Sequence, residues 1–191
     1  ALAGGDGLWV TGPLGNPFSR PLELAPGAAG AILVGGGIGI APLALLRREL
    51  SRRGFPQRSL LGFRDERHSG GVAELFSCSE VRLASEDGHA GHRGYVTDLL
   101  AVMLEGDAAP GSAVYACGPP AMLEAVRLMC AGAGVACELA LETPMACGFG
   151  ACFGCAVPLA GGGFMRLCLE GPAVRGERIA TAMPAGSGHR A

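Results

Sequence analysis

The sequence predicts an α/β fold: a doubly wound parallel sheet, preceded by the remnant of a β-structure and followed by a small cysteine-bearing module. Three observations carry this. From Ala31 to Leu141 short apolar runs alternate with helix-periodic segments, the pattern of strand–helix–strand units with right-handed crossovers. A glycine-rich loop separates the first such strand from the first helix. Past Leu141 the alternation stops, and Cys147, Cys152 and Cys155 crowd into one loop with Cys168 further on.

Taken in order, residues 1–26 hold a short strand pattern at Leu8, Trp9 and Val10 and a turn cluster from Gly12 to Pro17. Neither a helix nor a complete sheet is expected there; the segment reads as the end of a β-domain whose earlier strands lie outside this chain. Residues 31–34 are a buried parallel strand. A helix follows over 42–53, with Leu43, Leu46 and Leu50 on one face and Arg47, Arg48 and Arg52 off it. Further strands are expected at 59–63, 81–85 and 113–116, and a fifth where Val135, Cys137, Leu139 and Leu141 alternate. Between them lie a short helix (Val72, Leu75, Phe76), a third helix (Val96, Leu99, Leu100, Met103) and a fourth over 120–131. The fourth shows Met122, Ala125, Val126 and Met129 on one face and is ended by Gly132 and Gly134. Ala156 and Val157, a glycine turn, and residues 164–169 read as a small hairpin that carries Cys168. Divisions are expected at 1–28, 29–141, 142–184 and a loose tail at 185–191, with no internal repeat.

Composition narrows the function. Charged residues are only 17% and the net charge is −2, so no basic surface points to nucleic acid or an anionic membrane. All 15 basic residues are Arg, a bias to which no mechanism attaches. No apolar run is long enough to span a membrane. Eight cysteines in so long and apolar a chain, without a signal-peptide pattern, do not suit a secreted disulfide scaffold. A reducing cytoplasm is the expected home. Cys78, Cys130 and Cys137 sit in apolar segments and are expected as buried thiols.

Cys147, Cys152, Cys155 and Cys168 are spaced C-x4-C-x2-C-x12-C, the order in which plant-type ferredoxins hold a [2Fe–2S] cluster. Two irons need four converging thiolates, and one tight loop supplies three. Gly148, Gly150 and Gly154 are expected to take positive φ and bring N–H groups toward sulfur. A structural zinc site with four cysteine ligands is the alternative, although zinc ribbons usually pair two short knuckles and this chain has one C-x2-C. Inert thiols are the remaining reading.

Gly35, Gly36, Gly37, Gly39 and Pro42 form the loop between the first strand and its helix. Glycines there let backbone approach a pyrophosphate, and the helix N-terminus offers unpaired N–H groups. Pro42 fits the first helical turn. The motif is G-x-G-x-x-P, and a plain tight turn is the alternative. Cys117, Gly118 and Pro119 end the fourth strand at the same edge, either lining a nicotinamide or forming a small-residue turn. Glu86 ends the third strand, where a carboxylate accepts from ribose hydroxyls and repels a 2′-phosphate; this favours NAD over NADP, against a plain solvated loop. His68, His89, His92 and His189 lie in polar surroundings and are not expected to be catalytic.

Together these motifs resemble the ferredoxin–NADP reductase superfamily, and within it the electron transfer subunits of NAD-dependent dihydroorotate dehydrogenase. The resemblance runs from about Gly7 to about Val174, through Gly12-Pro13-Leu14-Gly15, the glycine loop, Ser85-Glu86-Asp87-Gly88, Gly94-Tyr95-Val96-Thr97-Asp98, Tyr115-Ala116-Cys117-Gly118-Pro119, Glu142-Thr143-Pro144-Met145-Ala146-Cys147 to Cys155, and Cys168-Leu169-Glu170-Gly171-Pro172. It implies that residues 1–28 end an FAD-binding β-barrel, that 29–141 bind NAD and that 142–184 hold the [2Fe–2S] cluster. It implies a hetero-oligomer with an FMN-containing catalytic dihydroorotate dehydrogenase subunit, passing electrons through the cluster and FAD to NAD+ in pyrimidine biosynthesis. Arg20-Pro21-Leu22-Glu23 is not the family's flavin motif, since it follows the G-P-L-G segment. The chain is therefore expected to be N-terminally truncated, and no FAD ligand is assigned. The alternatives are an NAD(P)H–ferredoxin oxidoreductase or a hydrogenase or sulfide-reductase flavoprotein subunit of the same superfamily, and a non-enzymatic zinc module. Met145, Phe149 and Phe153 are expected to face the partner or to pack the small module.

Overall fold

The computed structural model describes residues 3–8, 14–69, 72–76, 80–106 and 111–183. Trp9, Val10, Gly12, Pro13, Cys78, His189 and the tail 185–191, all read above, lie outside the described residues.

The elements in chain order are α1 (Pro21–Leu24), β1 (Gly30–Gly36), α2 (Ile40–Arg52), β2 (Gln57–Phe63), α3 (Glu66–Ser69), α4 (Val72–Leu75), β3 (Glu80–Ser85), β4 (His92–Arg93), α5 (Val96–Glu105), β5 (Ser112–Cys117), α6 (Pro120–Ala133), β6 (Cys137–Ala140), β7 (Ala156–Pro158), β8 (Phe164–Arg166), α7 (Leu167–Glu170) and β9 (Ala173–Arg175). Seven strands form one sheet in the order β4-β3-β2-β1-β5-β6-β9. All its pairings are parallel except β6 with β9. The strand order turns at β1, so the loops after β1 and β5 open side by side at the carboxyl edge. That is where a doubly wound sheet forms a crevice.

The period of two along β1 divides the interior. Ile32 and Val34 join one core with Leu100, Met103, Leu123 and Val126, while Ala31 and Leu33 join another with Leu43, Leu50, Phe76 and Tyr115. The parallel strands read as continuous apolar runs because both faces are covered.

Four expectations are corrected. Residues 21–24 do form a helical turn, opened by Pro21 at its first position, where a missing N–H costs nothing. Arg47 is not off the buried face of α2: it is 9% exposed, with its guanidinium 5.9 Å from the Phe76 ring centroid. An arginine stem lies down on apolar surface and its head meets a π-face. The buried stripe of α6 is Leu123, Val126 and Cys130, because Met122 turns toward Gly36 and Gly118. Gly134, at φ 66°, ends that helix, and Gly132 stays inside it.

The cysteine segment is not a separate ball. β7 and β8 form the expected hairpin, but Cys168 sits on α7, the short helix that directly follows it. Cys155, Val157, Met165, Leu167 and Ile179 share the core built by α5 and α6. β9 adds to the main sheet, and the Ala182 N–H donates to Glu124 at 2.6 Å. Glu124 also accepts from Arg127 at 2.7 and 3.0 Å, which holds its carboxyl down at about 2.

A depressed folded-state value means stability that is present above the ordinary glutamate value of 4.5 and lost as pH falls toward about 2. Glu124→Gln is therefore expected to lower Tm by about 2–4 °C at pH 7, the shift produced by about 1 kcal/mol in a domain of this size. The gap from the parent should narrow below pH 4.5. Melting curves of both proteins across this range check it; a gap that is constant with pH rules the linkage out.

Candidate functional site

The carboxyl edge carries a cleft of about 940 Å3. Gly36, Gly37, Ile38, Gly39, Ala41 and Pro42 form one wall, Cys117, Gly118 and Pro119 another, and Ala140, Leu141 and Glu142 a third. The loop after β1 is a single 3-10 turn, Gly37–Gly39, leading straight into α2. Gly37 has φ +55°, which a side chain disfavours. Gly39 lies so close to the next strand that a Cβ would stand 2.5 Å from the Cys117 carbonyl carbon and 2.6 Å from the Gly118 nitrogen. That turn and the end of β5 are thus in backbone-to-backbone contact, and the cleft floor is main chain.

The expected residues take different places. Gly36, Gly37, Gly39, Pro42, Cys117, Gly118 and Pro119 line the cleft. Gly35 lies behind it: a Cβ there would stand 2.8 Å from Ile40 and 3.1 Å from Leu43, so its smallness serves the packing of α2 on β1. Glu86 is exposed just past β3, on the same edge but with β2 between it and β1, and outside the cleft lining. Burial, and then the Glu142 charge, push the Cys117 thiol up to about 11. Cys117 is therefore a neutral wall and not a nucleophile. His68 pairs with Asp65 at 2.6 Å and His92 with Asp98 at 3.2 Å, and the described histidines all lie outside the cleft lining.

Sequence reasoning missed Glu142, Asn16, Phe18, Leu45 and Pro172, which also line the cleft. Glu142 was within reach, since it follows a parallel strand just as Cys117 does. Asn16 and Phe18 carry no local signal; long-range bonds bring them in. The Asn16 N–H donates to the Gly171 carbonyl at 2.6 Å. The Ser19 N–H and hydroxyl donate to Glu138 at 2.7 and 3.0 Å, and the Tyr115 hydroxyl donates to the Ser19 carbonyl at 3.0 Å. Phe18 meets the Tyr115 ring edge-on, with centroids 5.5 Å apart. Burial raises the Glu138 carboxyl above its usual range, against the Ser19 donors that lower it.

From Glu142 the chain passes through Thr143, Pro144, Met145 and Ala146 to Cys147. The four cysteines expected as ligands fall into two pairs. Cys147 and Cys152 hydrogen-bond through their thiols, and the Cys155 and Cys168 sulfurs are 3.2 Å apart. Among the described residues no three His, Cys, Asp or Glu side chains gather around a single ion position. Two thiol pairs fit a two-iron rhomb, which asks for two thiolates per iron, better than one tetrahedral zinc. Backbone N–H groups point at the sulfurs: Cys152 to Cys147 at 3.5 Å, Gly154 to Cys152 at 3.4 Å and Cys168 to Cys155 at 3.5 Å. The Cys152 N–H, with that of Phe149, pulls the Cys147 thiol down to about 6, and the Cys168 N–H lowers Cys155. Such donors favour thiolate, the form a metal binds. Gly148 and Gly150 take positive φ as expected; Gly154 does not, and Phe153 does instead, at φ 58°. Met145, Phe149, Phe153 and Phe164 are exposed around the loop.

Residues 142–180 match the iron-sulfur cluster binding domain of dihydroorotate dehydrogenase B. Over 178 residues the chain is 40% identical to the dihydroorotate dehydrogenase B (NAD(+)) electron transfer subunit of Bacillus caldolyticus, covering 92% of this chain and 66% of that protein. It is 36% identical to the subunit of the same name from Listeria innocua, covering 94% of this chain and 68% of that protein. The chain thus spans about two thirds of the length of these relatives. Among solved structures, an NADH-dependent reduced ferredoxin-NADP oxidoreductase is similar with a TM-score of 0.75 and 29% identity, covering 91% of this chain and 60% of that one. The ferredoxin reductase of carbazole 1,9a-dioxygenase is similar at 26% identity over 59% of this chain and 36% of that one, with a TM-score of 0.50. With its parallel sheet, its glycine-lined cleft and its paired cysteines, the chain belongs to the family of dihydroorotate dehydrogenase B (NAD(+)) electron transfer subunits.

Proposed function

We propose that this chain carries the NAD-binding and cluster-binding parts of an electron transfer subunit that links an FMN-containing dihydroorotate dehydrogenase subunit to NAD+. The observation that carries the reading is adjacency: the strand-end segment that forms the cleft wall, Ala140 to Glu142, runs within a few residues into the paired cysteines. A nicotinamide exchanges electrons in pairs, a [2Fe–2S] cluster exchanges them singly, and a flavin such as FAD converts between the two.

Each part of the chain has a role in this reading. Cys147 and Cys152 would hold one iron, Cys155 and Cys168 the other. Gly36, Gly37 and Gly39 present main chain to the nucleotide pyrophosphate, and the first turn of α2 offers N–H groups to it. Cys117, Gly118 and Pro119 form a neutral, low-polarity surface for the nicotinamide ring. Glu86, farther along the edge, suits the adenosine ribose. In this reading residues 1–28 end the flavin-binding barrel, and the bonds of Asn16 and Ser19 to Gly171, Glu138 and Tyr115 would hold that end beside the cleft. Met145, Phe149 and Phe153 form the face toward the catalytic partner. No side chain need act as acid, base or nucleophile. The complex is cytoplasmic and serves pyrimidine biosynthesis. An NAD(P)H–ferredoxin oxidoreductase is the second reading, favoured by the similarity to such an enzyme over 91% of the chain.

The deciding experiment co-expresses the full-length protein with a catalytic dihydroorotate dehydrogenase subunit. NADH is expected from dihydroorotate and NAD+ only when both are present. A complex loaded with FMN, FAD and cluster that forms none moves the assignment to the ferredoxin-linked reading. Cys152→Ala is expected to abolish the reduced-cluster EPR signal and Cys130→Ala to retain it; a normal spectrum in the first rejects the ligand set. Gly39→Ala is expected to cost about 1–3 kcal/mol by overpacking and to weaken NADH binding at least tenfold. Urea unfolding and NADH titration measure the two effects; unchanged affinity would remove this loop from the nucleotide site.

A further inference from the structure

Arg166 ends β8 and pairs across the hairpin with Ala156, immediately after Cys155, while Cys168 follows two positions later. Its guanidinium reaches back over the loop that carries the other cysteines. Nη1 donates to the Gly150 carbonyl at 2.9 Å, and the guanidinium carbon lies 5.0 Å from the Phe153 ring centroid. One half-buried side chain thus touches the loop between Cys147 and Cys152 and again between Cys152 and Cys155. The residue it stacks on, Phe153, holds φ 58°, a left-handed conformation that a non-glycine residue rarely adopts. The fixed orientation of Phe153 sets where the next N–H points, and that N–H, of Gly154, donates to the Cys152 sulfur.

Among the described residues no carboxylate oxygen lies within 4 Å of the Arg166 guanidinium; Glu170 instead takes the Arg166 backbone N–H at 3.1 Å and stands 3.9 Å from Arg178. A guanidinium stays protonated at any working pH. Two ferric ions, two sulfides and four thiolates carry a formal charge of about −2, and one added electron, with no proton, takes it to about −3. A fixed cation over the loop interacts more strongly with the second state than with the first.

We propose that Arg166 is a positioning residue of the cluster loop whose positive charge, pinned by Gly150 and Phe153, raises the reduction potential of the site. This rests on the cluster reading above. It concerns how readily the electron is taken up, not whether the four cysteines bind iron.

The test is an anaerobic redox titration of the full-length, cluster-loaded protein, followed by the EPR signal of the reduced state. A parent protein with iron but no [2Fe–2S] signal would overturn the cluster reading itself. Given that signal, Arg166→Gln and Arg166→Met are each expected to lower the reduction equilibrium about tenfold, about 59 mV for one electron. Arg166→Lys, which keeps the charge, is expected to stay near the parent. A neutral variant that keeps its cluster at the parent potential overturns the proposal, as does a lysine variant that falls as far as the neutral ones. If neither neutral variant retains a cluster, the lysine variant decides. Retention at the parent potential supports the charge, whereas loss from all three makes Arg166 a mere brace of the loop and overturns the proposal.

Discussion

Gly39 and the Cys117–Gly118 peptide occupy a space that admits no side chain. The rest of the cleft depends on this contact. It sets the turn after β1 against the end of β5, so that α2 starts with its first turn facing the crevice. It also leaves the crevice floor as backbone, whose dipoles are fixed by the sheet and helix they belong to. Cys117 fits there because burial keeps its thiol neutral.

The cysteine loop solves a different problem with similar means. Four sulfurs that all become thiolate repel one another, and the loop answers with N–H groups from Cys152, Gly154 and Cys168 aimed at sulfur. Each contact is weak alone. Together they favour the thiolate form at the sulfurs that accept them. The positive φ of Phe153 and the arginine stacked on its ring belong to the same arrangement.

Much of this was legible because it follows from local rules. Every strand expected between Ala31 and Ala140 is present within a residue or two of its reading, since buried parallel strands are short, apolar and bounded by turns. The glycine loop and the cysteines announce themselves by spacing. What stayed hidden depends on long-range contacts. Arg47 looks like a surface residue until Phe76 arrives beneath it. Met122 falls on the periodic stripe of α6, but two glycines leave a hollow that its thioether fills. No strand was read at β9, inside the 142–184 module, because its pairing with the edge of β6 is long-range. Asn16 and Phe18 became cleft walls through contacts with residues more than ninety positions away.

Long-range contacts also fix the separation between the cleft and the paired cysteines. A cluster module joined to a nucleotide domain by the 142–146 segment alone would swing, and electron transfer falls steeply when distance grows. Here the return of the chain removes that freedom. β9 lies antiparallel on β6, Val174 and Ile179 enter the core beneath α6, and the Ala182 N–H closes onto Glu124, whose carboxylate is already held by Arg127. Separating the paired cysteines from the cleft would break a strand pairing, open an apolar core and expose a charge-assisted bond together. The polar anchor is modest and the apolar one is large, so the anchor selects the register in which the segment returns while the core supplies the strength.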